Sequence, residues 1–138
     1  MMQSAKRREN SMKAIDFMGG DWVLINGIPR KVQAVDGVDN EIMADDELYT
    51  LAEDRYHSED KVEGVLITPE ILEKNGFRHG SYVGGYYSPD CPFRVFVKTD
   101  GRCEFTTLFD DEIHFSCTFV HELQHALRLC GINKEIEL

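Results

Sequence analysis

The stretch FRVFVKTDGRCEFTT, residues 93–107, alternates apolar and polar side chains on both sides of Thr99-Asp100-Gly101. Residues two apart line one face of a strand, and a three-residue loop with glycine in the left-handed conformation is a frequent hairpin connection. With Gly101 in that place, Val97 faces Cys103, Val95 faces Phe105 and Phe93 faces Thr107. The other face carries Arg94, Lys98, Arg102, Glu104 and Thr106, with Phe96 as the apolar exception. A slip of one residue would expose the whole apolar row, so the register is well specified.

Downstream, Asp110-Asp111 turns the chain into a third strand whose Ile113, Phe115 and Cys117 point inward. A helix over 118–130 follows and Gly131 ends it. At about 100° per residue, Phe119, Val120, Leu123, Ala126, Leu127 and Cys130 share one face. His121, His125 and Arg128 fall on the opposite side. The pattern predicts an amphipathic helix laid on a sheet, with its histidines directed away from the core.

Upstream, residues 80–91 are rich in Gly, Tyr, Ser and Pro and read as an irregular strand or loop. Thr68-Pro69-Glu70 opens a short helix with an N-cap, a proline at the first position and an early acid, and Asn75-Gly76 closes it. Residues 52–63 are rich in charge, and 52–65 read as a linker. Before it, Trp22 to Ile25 and Ile28 to Val35 flank Asn26-Gly27, a strong type I′ turn signal. Pro29 lacks an N–H and belongs at an unpaired position. Asp36-Gly37 marks another turn, with short strands at 41–43 and 48–51. Residues 1–11 are polar and without periodicity, a disordered lead-in, and Met12 is an alternative start to Met1. The fold expected is α+β. A small antiparallel meander occupies 12–51, an SH3-like barrel being one option. An α+β unit with an antiparallel sheet and a C-terminal helix occupies 66–138.

That closing helix contains His121-Glu122-Leu123-Gln124-His125, an HExxH pattern. On a helix the spacing sets two imidazoles one turn apart with a carboxylate beside them, as zinc peptidases require. His121 and His125 would then bind zinc and Glu122 would activate the bound water. A third ligand is needed. Where the metzincin pattern places a glycine and a third histidine, this chain has Arg128 and Gly131. Glutamate-type zincins take the third ligand from a further helix, and only Glu135 and Glu137 follow, in what reads as a frayed tail. His114 is the upstream candidate. The expectation is no metal and no cofactor, with His121 and His125 as surface histidines; zinc is the alternative.

Other motifs carry less. Asp36 to Glu47 has the length of a calcium loop, but Val38 and Glu41 stand where an acid or amide and a glycine are needed. Gly19-Gly20 and Gly84-Gly85 lack the Lys-Ser/Thr of a phosphate loop. Trp22, Tyr82, Tyr86 and Tyr87 are read as core or interface aromatics rather than an exposed patch. Cys91, Cys103, Cys117 and Cys130 form no CxxC and are expected to be reduced, in a cytoplasmic protein. With 25 acidic against 15 basic residues, the net charge of −10 argues against non-specific nucleic-acid binding. It suits a solubilising surface, a basic partner or, as a third option, an acidic mimic of DNA. No apolar run reaches the roughly 20 residues of a membrane span.

Three segments resemble a known family. They are Gly20-Asp21-Trp22-Val23 with the Asn26-Gly27 turn, the stretch LITPEILEKNGF at 66–77, and VHELQH at 120–125. Together they look like a family of small uncharacterised proteins encoded mainly by prophages and mobile elements of gut bacteria of the Bacteroides group, over most of residues 12–138. In its members the closing helix often reads VHQLQN. The resemblance thus implies that HExxH is a local variant here, and it carries over no catalytic residue. The function expected is that of a non-enzymatic accessory or protein-interaction protein of a prophage or mobile element. Its protein partner is unspecified and homodimerisation is open. The alternative is a minimal, metallopeptidase-like zinc hydrolase using His121, His125 and Glu122.

Overall fold

The computed structural model describes residues 12–51, 60–80, 85–91, 93–98, 100–107 and 114–138, and of residues 107, 114 and 115 the backbone alone. The lead-in at 1–11, Tyr82, Asp110-Asp111 and Ile113 lie outside the described residues. The chain divides into two compact units, residues 1–65 and 66–138.

In the first unit, β1 (Trp22–Ile25) and β2 (Ile28–Asp36) are joined by Asn26 and Gly27 at φ 54° and 80°. Two left-handed residues make the type I′ turn that matches the twist of paired strands. Ile25 and Ile28 flank that turn as a hydrogen-bonded pair, so the next pair, Leu24 and Pro29, is not one. The proline nitrogen therefore faces the other neighbour, β3 (Glu41–Ala44). That strand begins to pair only at Val32, and the ladder loses nothing. Asp45 and Asp46, at φ 51° and 63°, form a second turn of this kind into β4 (Glu47–Thr50).

The fifth strand, β5 (Val62–Glu63), lies at the end of the segment expected as a linker at 52–65, of which residues 52–59 are outside the described residues. It pairs with β1 and completes the order β4-β3-β2-β1-β5. The free edge of β1 supplies the hydrogen bonds that the charged composition of this segment concealed. Asn26 locks the junction: its side chain donates to Asp60 and accepts from Lys61 N–H, both at 2.9 Å. The inward row includes Val23, Ile25, Val32, Ile42, Ala44 and Tyr49, packed with Ala14 and Phe17 from the single turn that precedes β1.

In the second unit, α1 (Pro69–Lys74) starts on Thr68, whose Oγ1 accepts from Ile71 N–H at 3.2 Å. It ends in a Schellman motif: Phe77 N–H reaches the Leu72 carbonyl, and Gly76, at φ 87°, donates to Glu73. The segment read as irregular contributes β7 (Tyr86–Tyr87), paired with β6 (Arg78–His79). β8 (Phe93–Val97) and β9 (Cys103–Thr107) pair in the expected register, with Phe93 and Phe105 stacked 5.0 Å apart. β10 (His114–Cys117) completes the order β10-β9-β8-β7-β6. The closing helix, α2 (Val120–Leu129), ends in a second Schellman motif at Gly131. The architecture is mixed α+β, two antiparallel sheets with two helices, as the sequence implied. Among the described residues no helix is long and apolar enough to cross a membrane.

Candidate functional site

The closing helix begins at Phe119, whose side chain offers no acceptor for the free N–H groups of the first turn. Glu122, three positions on, instead secures the N–H groups at and just before the N-cap. One of its carboxylate oxygens accepts from Thr118 N–H at 2.9 Å and from Phe119 N–H at 3.0 Å. This is the reciprocal half of a capping box, with the acid also favoured by the positive end of the helix dipole. The glutamate of HExxH is thus oriented toward the start of its own helix.

His121 is not a surface residue. It is 3% exposed and Gln124 6%, so part of the side of α2 expected to face away from the core is covered, while Arg128 on that side is exposed. The His121 ring stacks on Phe119 at 5.7 Å and meets the half-exposed His125 edge-on, also at 5.7 Å. Cys130, expected inward, is exposed: the helix ends at Leu129, and Cys130 is the C-cap residue beyond the packed face.

The tail after Gly131 is tied down rather than frayed. Asn75 donates to the Glu137 carbonyl at 2.7 Å and accepts from Glu137 N–H at 2.8 Å. Lys74 reaches the Leu138 carbonyl, Lys134 lies over the Phe77 ring, and Ile136 is buried. Asn75 closes α1 and pins the terminus with one side chain. Among the described residues, no Asp, Glu, Cys or His joins His121 and His125 in a three-ligand group. The His114 side chain lies outside the described residues.

One group of three does form elsewhere, and sequence reasoning missed it. The carboxylates of Asp36, Asp39 and Glu41 lie within 4.8 Å of one another at the β2–β3 turn. Register explains the gathering: Asp36 pairs with Glu41, and Asp39 sits in the loop between them. Asp36 accepts from Val38 N–H and Asp39 N–H, so one member is engaged in forming the turn. The hairpin signal Asp36-Gly37 would have brought these acids together had it been carried through to side chains. Beside them stand two exposed apolar residues, Val38 at 95% and Ile15 at 70%. A Cβ on Gly37 would meet Ile15 Cγ2 at 2.8 Å, which places Ile15 against the same turn.

The described aromatics differ in their surroundings within each unit. Trp22 is half-buried with the Lys31 ammonium 5.2 Å from its ring, while Tyr86 packs edge-on against His79 and Tyr87 is exposed. Comparison with family models, with curated proteins and with solved structures finds no match for this chain.

Proposed function

We propose that this chain is a non-enzymatic accessory protein that works by binding another protein, of the kind carried by prophages and mobile elements. The origin rests on the resemblance of the three segments quoted above. The reading of the site rests on Glu122. A general base must present a free carboxylate edge toward a bound water, whereas one oxygen of this carboxylate is held by two backbone N–H groups at the start of its own helix, which orients the group there. His121, stacked on Phe119 and almost fully enclosed, then serves as a packing residue. On the first unit, Ile15 and Val38 beside the three carboxylates suit a partner that sets basic residues around an apolar contact.

The competing reading keeps HExxH as a zinc site, with His121 and His125 as ligands and Glu122 as base. Zinc content of protein purified without an affinity tag separates the two. The expected result is far less than one zinc per chain, unchanged in His125→Ala. One zinc per chain, lost in His125→Ala, would overturn the non-enzymatic reading in favour of the hydrolase.

A further inference from the structure

Cys103 and Cys117 are both buried, and they stand directly opposite one another on β9 and β10. The ladders on either side define the kind of pair they form. Lys98 donates to the Arg102 carbonyl at 2.7 Å and its own carbonyl accepts from Gly101, so Lys98 and Arg102 are a hydrogen-bonded pair. The next pair, Val97 and Cys103, is then of the other type, and the backbone N–H and C=O of Cys103 point toward β10. From the far side, the Thr118 carbonyl accepts from Ile67 N–H at 3.0 Å. Thr118 is thereby turned away from β9, and its neighbour Cys117 toward it. Both routes make Cys103–Cys117 a hydrogen-bonded pair, whose Cα atoms are about 5.5 Å apart, within the range that disulfides span. Cβ atoms of facing residues are about 4.5–5.5 Å apart, against about 3.8 Å in a disulfide. A hydrogen-bonded pair lies at the far end of that range, so closure draws the two Cβ atoms together by about 1.5 Å.

We propose that Cys103 and Cys117 form a reversible cross-strand disulfide that staples β10, and with it the start of α2, to β9. The oxidant is a low-molecular-weight disulfide. One protein thiolate attacks it, releasing a small thiol and leaving a mixed disulfide. The second protein thiolate attacks the protein sulfur of that bond, forming the Cys103–Cys117 bond and releasing the second small thiol. Two protein thiols lose two electrons and two protons, and the small disulfide is reduced to two thiols.

The folded state controls the rate. Burial pushes the Cys103 thiol up to about 11 and the Cys117 thiol up to about 12, and the nearby Glu122 carboxylate adds to both. Little thiolate exists while the strands are closed, so oxidation proceeds through parting of β10 from β9. The closure strain makes the bond easy to reduce again.

The test treats the full chain with oxidised glutathione at increasing, sub-denaturing urea, followed by alkylation and peptide mapping without reduction. A Cys103–Cys117 linked peptide is expected. It should accumulate faster as urea rises, disappear with dithiothreitol, and raise the thermal midpoint of the oxidised chain. Cys130→Ser, at an exposed thiol, should retain the link, and Cys117→Ser should abolish it. If Cys117→Ser fails to fold, the maps of the parent and of Cys130→Ser decide. Links from Cys103 or Cys117 to Cys91 or Cys130 would overturn the proposal. So would Cys103 and Cys117 remaining free after Cys130 has been consumed.

Discussion

At Phe119 the closing helix starts on a residue whose side chain cannot cap it, and Glu122 accepts from the N–H groups of Thr118 and Phe119. Replacing Glu122 by alanine should cost about 1 kcal/mol of stability, a typical value for a lost cap, read from urea unfolding. Glu122→Gln keeps an acceptor at the same place and should cost clearly less. A hydrolytic base would show the opposite insensitivity, since glutamine and alanine abolish proton transfer alike. Asp100 offers a second carboxylate with a defined state. The backbone N–H of Arg102, with its guanidinium, holds this carboxyl below the usual aspartate range. A lowered folded-state value means that its contribution is complete above the ordinary aspartate pKa. The contribution is lost as pH falls through the lowered one. Carboxyl-carbon NMR should show Asp100 titrating below an unperturbed aspartate, and Arg102→Ala should restore only part of the difference, because the backbone donor remains.

The hairpin of β8 and β9 was legible because everything that determines it is local: alternation, loop length and a glycine at φ 90°. The two helix ends were legible for the same reason, since Gly76 and Gly131 act on carbonyls within one turn. What escaped the sequence depended on distant chain. The two-residue β5 exists because β1 had a free edge, and the burial of His121 and Gln124 reflects what lies over α2 rather than their own polarity. A pair of glycines separates local from distant causes. Gly101, at φ 90°, has nothing within 4 Å of where a Cβ would stand, whereas a Cβ on Gly85, at φ 74°, would meet the Phe96 ring at 2.9 Å. Gly101→Ala should cost about 1–2 kcal/mol for the left-handed backbone alone. Gly85→Ala adds overpacking of about 1–3 kcal/mol. Chemical denaturation of the two variants should rank Gly85→Ala as clearly the more damaging, and equal losses would mean that Phe96 yields freely.

Across the whole chain, 25 acidic side chains stand against 15 basic ones, and the described ion pairs do little to offset that excess. Arg30–Asp45, Lys61–Glu63, Lys98–Glu104 and Arg102–Asp100 are all at least partly exposed, a setting in which each contributes about 0–1 kcal/mol. Against them, Asp36, Asp39 and Glu41 crowd within 4.8 Å of one another, and folding holds like charges of this kind closer than the unfolded chain does. Unfolding relieves that repulsion by spreading the charges apart. Added salt shortens the screening length from about 30 Å at 0.01 M to about 8 Å at physiological ionic strength. Screening weakens both the favourable pairs and the general repulsion, but the repulsion involves an excess of ten charges and the described pairs are all at least partly exposed. The thermal midpoint should therefore rise between 0.01 M and 0.2 M sodium chloride. Asp39→Asn should raise the midpoint at low salt and flatten this dependence, because it removes one member of this like-charged group while leaving the Asp36 turn intact. A midpoint that falls with salt would mean that the ion pairs outweigh the net charge.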